Sequence, residues 1–82
     1  MKLQGYSTQD ENLSIENVHF LELAEISLMA TPDELRKIAG FLEYAAIQIE
    51  KMGETFDHVH LADHQLGFEC SPHLVVFKPE VD

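Results

Sequence analysis

The segment 56–64 reads FDHVHLADH and concentrates the side chains best suited to chemistry. His58 and His60 are two positions apart, so on an extended segment both rings would point to one side. His64 or Asp63 could supply a third ligand, and imidazole with carboxylate suits Zn²⁺ or another transition metal. The ligand set is incomplete for a catalytic zinc, and no second motif such as H-E-x-x-H accompanies it. We therefore expect no cofactor, and the alternative is a transition metal with His58, His60 and His64 as its ligands.

Two other interpretations of the same segment stay open. Neutral imidazole has one donor and one acceptor, so the histidines could hold the loop in place through hydrogen bonds to carboxylates or backbone carbonyls. The segment also lies within a long irregular stretch, 53–72, and loops of that length are often functional. The sequence thus also predicts a loop that contacts a partner protein, formed by Phe56, Asp57, His58, His60, Asp63 and His64.

Cys70 is the single cysteine and a candidate nucleophile, with His64 or His73 as its base. Its neighbour Glu69 disfavours the thiolate, and no Lys or Arg stands near it in the sequence to favour that form. No motif of a serine nucleophile or of a phosphate-binding loop is present either. We therefore predict that the protein has no catalytic residue and is not an enzyme.

The element that must position this loop is a helix that ends directly before it. Thr31 is a candidate N-cap, and Pro32 suits the first helical position. Glu34 lies three residues after Thr31 and completes a capping-box pattern. Gly53 suits the residue that follows a helix. The pattern predicts a helix over 32–52.

The predicted helix carries one broad apolar face, because its apolar residues recur every three or four positions. That face consists of Leu35, Ile38, Ala39, Leu42, Ala45, Ala46, Ile49 and Met52, with Phe41 at its border. At about 100° per residue, Tyr44 and Ile47 fall on the far side, near Gly40 and Lys51. Tyr44 and Ile47 are either isolated surface residues or an interface for a second subunit or a partner.

Strand patterns flank the helix on both sides. Residues 20–30 alternate apolar and polar side chains with one slip, which predicts a strand with a β-bulge. Residues 74–77 read LVVF, a short apolar strand, and 2–7 and 12–18 are further candidates. The predicted fold class is α+β: a two-layer domain with a small, mostly antiparallel sheet of three or four strands, one long helix packed on one face, and the order β-β(-β)-α-β. We expect the chain, 1–82, to form a single domain.

Fifteen acidic residues against five basic ones give a formal net charge of −10. A nucleic-acid binder needs Lys or Arg to neutralise phosphates, so we expect no direct nucleic-acid binding. No segment approaches the about 20 consecutive apolar residues of a membrane span, and the N-terminus lacks the apolar stretch of a signal peptide. With a lone cysteine, these features predict a cytoplasmic protein with no membrane partner. The acidity either keeps the protein soluble or forms a face that docks a basic partner.

Three segments together resemble a known family. They are EISLMATPDELRKIAGFLEYAA, then GETFDHVHLAD, then SPHLVVFKP, in that order and spacing. They resemble the small bacterial immunity proteins of polymorphic toxin systems, in the family numbered thirty-two, over about residues 21–79. The resemblance implies a non-enzymatic protein that binds and neutralises a toxin. On the family pattern the motif positions are Phe56, His58, His60 and Asp63.

Three functions are consistent with these features. The first is a binding protein of the immunity type, whose partner is a protein such as a basic toxin domain. The second is a small metal-binding domain that uses the His58 and His60 loop. The third is a structural or regulatory homodimer, joined through Tyr44 and Ile47 or through an open sheet edge. The first is preferred because of the resemblance, with the acidic charge as additional support.

Overall fold

In the computed structural model, which describes residues 1–79, one long helix, α1, spans Pro32–Met52. These are the bounds that the sequence predicts. The Thr31 Oγ1 accepts a hydrogen bond from the Glu34 N–H at 3.1 Å, and the Glu34 carboxylate accepts one from the Thr31 N–H at 2.8 Å. Gly53 ends the helix with φ 55°, and its N–H donates to the Ile49 carbonyl. Both ends of α1 are therefore satisfied by local contacts.

Four short strands form two antiparallel hairpins. β1 (Leu3–Gly5) pairs with β2 (Leu21–Leu23), and β3 (His58–His60) pairs with β4 (Val75–Phe77). The α+β prediction is confirmed. The strand count per sheet is lower than predicted, because the strands form two sheets of two rather than one sheet of three or four. The order along the chain is β-β-α-β-β.

The N-terminal strand patterns are shorter than predicted. β2 covers three residues, and 24–30 have no regular structure, so the predicted β-bulge has no strand to occupy. Residues 12–18 form turns instead of a strand. The Leu13 N–H donates to the Asp10 carbonyl at 3.0 Å, and the Asn17 N–H donates to the Ser14 carbonyl at 2.8 Å. These local bonds satisfy backbone groups that a strand would have to pair with a neighbour.

The core lies between α1 and the second hairpin. Its main cluster contains Ile38 and Phe41 from the helix with Leu61 and Phe68 from the chain that follows. Three half-buried hydrophobic residues pack against this cluster: Val59, Leu74 and Val76. Phe41 is fully buried, at 0% exposure. One face of α1 is therefore covered by the C-terminal hairpin, as the two-layer prediction requires.

The buried side of α1 differs from the predicted apolar face. Ile38, Phe41 and Ala45 are its buried residues, whereas Leu35 and Leu42 keep 44% and 47% of their surface exposed. The physical reason is Phe41, which was placed at the border of the face. Its ring is fully buried between the helix and the segment 61–68, so the side of α1 that carries Phe41 faces the core.

Residues 1–30, the N-terminal region, contribute no buried residue. Residues 31–79, the C-terminal region, contain all six buried hydrophobic residues. Within the described part of the chain, no helix combines the length and the apolar character needed to cross a lipid bilayer.

Candidate functional site

The second hairpin presents the histidine-rich segment on the surface of the core. Within this segment, Phe56 and Leu61 lie on either side of β3 and are 5% and 3% exposed, so both ends of the strand are anchored by buried residues. Between them, β3 is extended and places His58 and His60 on one side, with ring centroids 5.0 Å apart. His58 and His60 therefore point to the same side, as predicted, because side chains two positions apart share a face of a strand.

His58 is held by its neighbours on the hairpin. Its Nδ1 lies 2.5 Å from the Asp57 Oδ2, and its ring stacks on Phe77 at a centroid distance of 5.1 Å. Phe77 is the residue that faces His58 across the strand pair. A carboxylate that binds Nδ1 leaves Nε2 as the free ring nitrogen, directed away from that carboxylate.

His73 joins this group from the segment that leads into β4. Its ring centroid lies 6.4 Å from that of His60. In the sequence His73 was considered only as a base for Cys70, and its proximity to His60 depends on the antiparallel register that sets His60 opposite Val75. A spacing of 13 positions carries no local signal, so only the pairing of β3 with β4 could reveal it.

His64 lies apart from the other predicted ligands. It follows the short 3₁₀ turn Leu61–Asp63, and its ring lies 4.2 Å from Tyr44 and 6.2 Å from Phe41, centroid to centroid. The rings of Tyr44 and Phe41 belong to the helix, so His64 faces α1. Among the described residues, no group of three or more His, Cys, Asp or Glu side chains could hold a metal ion. The predicted triad of His58, His60 and His64 is thus not assembled in this structure.

Tyr44 also lies elsewhere than predicted. It is half-buried and packs on His64, so its placement on an outward face was wrong. Gly40 is exposed, although a Cβ added there would lie 3.6 Å from the Gln65 side chain. Ile47 is the one member of the predicted pair that stays exposed, at 38%.

Cys70 is exposed, and the following residue, Ser71, directs its hydroxyl to backbone carbonyls. The Ser71 Oγ lies 3.2 Å from the Phe68 carbonyl oxygen and 2.9 Å from the Pro72 carbonyl oxygen, and its single proton is donated to one of them or shared. These contacts hold the turn that leads into β4.

The surface of the second hairpin is acidic. Residues 53–77 contain no Lys or Arg, while four carboxylates in this range are exposed: Glu54, Asp57, Asp63 and Glu69. We call these four residues the acidic set. Lys37 of α1 contacts this segment: its Nζ donates to the Leu66 carbonyl at 3.3 Å and lies 3.7 Å from Asp33. A basic partner would therefore meet carboxylates on this surface with little opposing charge from the same segment.

A separate titratable pair closes a loop in the N-terminal region. The Asp10 Oδ2 accepts a hydrogen bond from the His19 backbone N–H at 2.9 Å and lies 3.0 Å from the His19 Nδ1. The backbone hydrogen bond, followed by the bond to the ring, holds the pKa of Asp10 below its ordinary value of 3.8. This pair links the turns after β1 to the start of β2.

Comparison with models of known protein families finds no match. Curated proteins and solved structures give no match either. The resemblance to immunity proteins therefore stays a prediction, carried by the residues of the helix entry and of the histidine-rich segment.

Proposed function

We propose that this chain is a non-enzymatic, immunity-type protein that binds and neutralises a bacterial toxin through the second hairpin. The observation that carries the proposal is the acidic set, which is exposed on a segment that has no Lys or Arg of its own. The resemblance described above supplies the class of partner. The acidic surface supplies its chemistry, which is a basic protein face such as the active site of a nuclease.

The scaffold suits a binding surface. Leu61 and Phe68 pack in the core with residues of α1, and Phe56 is also buried. The acidic side chains beside these residues therefore project from an anchored backbone. A preorganised surface loses little conformational entropy when it binds a partner. Opposite charge on the two partners also speeds association, and this gain falls as salt is added.

The experiment first identifies the genes beside this one and takes a toxin-like domain encoded there as the candidate partner. The toxin is expressed from an inducible promoter in a bacterial host together with this protein, and survival and complex affinity are measured. We expect the wild-type chain to protect the host. The triple variant Asp57→Asn, Asp63→Asn, Glu69→Gln should bind at least about tenfold more weakly, because charged contacts at interfaces of opposite charge contribute on the order of one kcal/mol or more each.

A matched control removes the same charge from the N-terminal region. The variant Glu11→Gln, Glu16→Gln, Glu25→Gln also neutralises three exposed carboxylates, and we expect it to protect as well as wild type. Equal loss in both triple variants would mean that only net charge matters. Full binding by the hairpin variant, with unchanged salt dependence, would exclude this surface as the docking face.

The metal-binding alternative is tested with the same purified protein. His58 and His60 share one face of β3, but His64 packs on α1, so we expect one equivalent of Zn²⁺ to leave the unfolding midpoint unchanged relative to EDTA. A stoichiometric rise that disappears in His58→Ala and His60→Ala would favour a metal-binding domain instead.

A further inference from the structure

The exposed side of α1 carries an apolar stripe that the core does not use. It consists of Leu35, Ala39, Leu42 and Ala46, all of which are exposed, and we call these four residues the outer stripe. The spacings of four, three and four are those of the a and d positions of a heptad repeat, with Leu at d and Ala at a. Such a seam is typical of a helix that packs lengthwise on a second helix.

The whole chain exposes more surface than a monomer of its size. Its accessible surface is 6980 Å² for a mass of 9.3 kDa, whereas monomeric proteins of that mass typically expose about 5000 Å². The radius of gyration of 13.7 Å likewise exceeds the about 12 Å that is typical of a compact domain of this length. Part of this surplus belongs to the N-terminal region, which contributes no buried residue, and part to the outer stripe on α1. A standard interface removes about 800 Å² from each partner, so the chain has exposed surface that a dimer would cover.

We propose that the outer stripe is the interface of a homodimer in which two copies of α1 pack antiparallel about a two-fold axis. The axis crosses the outer stripe midway between Ala39 and Leu42. Leu35 then lies against Ala46 of the second copy, and Ala39 lies against Leu42 of the second copy. Each large side chain thus meets a small one, and all four residues of the stripe are covered.

The charges beside the stripe select this arrangement. Arg36 and Glu43 occupy equivalent heptad positions next to Leu35 and Leu42, and both are exposed. In the antiparallel register, Arg36 faces Glu43 of the second copy, and the pair occurs twice because of the symmetry. Neither residue forms an ion pair within residues 1–79 of a single copy. A parallel arrangement would bring Leu35 against Leu35 and would not bring these opposite charges together.

The second copy is the occupant that explains the thin core. Residues 1–79 contain six buried hydrophobic residues, which is a thin core, and small domains are marginally stable even when they are compact. A partner that completes the fold must be present whenever the chain is present. A second copy of the chain always meets that condition, whereas a toxin does so only during binding.

Sedimentation velocity of the purified full chain over a range of micromolar concentrations tests the proposal. We expect a species of twice the 9.3 kDa subunit mass. Leu42→Gln should weaken the dimer at least about tenfold, and circular dichroism should show that its helix content is retained. Ile47→Gln, the matched control on an exposed position outside the stripe, should leave the dimer intact.

A charge exchange makes the register testable. Arg36→Glu should weaken the dimer, because it sets Glu against Glu43, whereas Arg36→Glu combined with Glu43→Arg should restore it. Lys51→Glu makes the same change of charge away from the stripe and should have no such effect. The proposal is overturned if the wild type is monomeric at every concentration, if Leu42→Gln dimerises like wild type, or if the double exchange fails to restore association. None of these results depends on toxin binding.

Discussion

The two hairpins have strands of equal length, yet they are stabilised in different ways. The second hairpin packs on α1 through Leu61 and Phe68, which lie in the connection between β3 and β4 and cluster with residues of the helix. β1 and β2 are joined by backbone pairing that sets half-buried Leu3 opposite half-buried Leu23. At the surface they add a Tyr6–Phe20 edge-to-face pair at 5.5 Å and a Lys2–Glu22 ion pair at 3.8 Å. Exposed ion pairs contribute about 0–1 kcal/mol each. The difference shows that apolar side chains form a core only where another element packs on them.

The N-terminal region has little buried surface to stabilise it. The N-terminal region holds several large exposed hydrophobic residues, namely Leu13, Ile15, Phe20, Leu21, Ile26, Leu28 and Met29. An isolated two-stranded hairpin is at best marginally stable in water. We therefore expect the free energy of unfolding to come mainly from the C-terminal region. Four measurements test the contrast between the two regions.

The largest effect is expected from the core of the C-terminal region. Phe41→Ala removes a ring that is 0% exposed and should lower the free energy of unfolding by about 3–5 kcal/mol. Phe20→Ala removes a ring that is 50% exposed in the N-terminal region and should cost about 1 kcal/mol or less. Urea denaturation followed by circular dichroism measures both values. Similar costs for the two variants would contradict the comparison.

A smaller effect is expected at the helix entry. Thr31→Ala removes the hydrogen bond to the Glu34 N–H and should lower the free energy of unfolding by about 1 kcal/mol. Ser7 precedes the short 3₁₀ turn of the N-terminal region and makes no side-chain capping bond. Ser7→Ala should therefore change stability by less than about 0.5 kcal/mol. A cost at Ser7 that equals the cost at Thr31 would show that the N-terminal region shares the cooperative unit.

The contact of His64 with Tyr44 should be worth a similar or smaller amount. A double-mutant cycle with His64→Ala and Tyr44→Ala should give a coupling of about 0.5–1.5 kcal/mol, because the two rings pack at 4.2 Å. The pair His73 and Tyr44 is the control and should show no coupling. A coupling near zero for His64 and Tyr44 would mean that the histidine-rich segment is not held on α1 by this contact.

The smallest effect concerns Asp10. Its pKa is lowered in the folded chain by the hydrogen bonds from His19, so the ionised form stabilises the loop. That stabilisation is complete above the ordinary pKa of 3.8 and is lost as the pH falls through the lower folded value. Nuclear magnetic resonance should show the His19 amide signal titrating below pH 3.8. The titration should be absent in Asp10→Asn, while amides in α1 stay unchanged. A His19 amide that titrates equally in Asp10→Asn would exclude Asp10 as the cause.

Much of this protein could be predicted where the signals are local. The bounds of α1, its capping box, the glycine at its end, the strand at 75–77 and the shared face of His58 and His60 all follow from neighbours within a few positions. The strand at 20–30 failed over most of its length, because alternation of apolar residues indicates a strand only when a neighbour pairs with it. Residues 24–30 have no such neighbour.

The bounds of the helix are therefore determined by the sequence alone, since the free backbone groups at each end bond to atoms that lie three or four residues away. The side of α1 that is buried, the position of His64 against Tyr44 and the approach of His73 to His60 belong to the tertiary structure. Each of these depends on how a hairpin at 58–77 packs on a helix at 32–52. Packing across such distances in the chain is decided by the shape of Phe41 and by strand register, which periodicity along a single element does not contain.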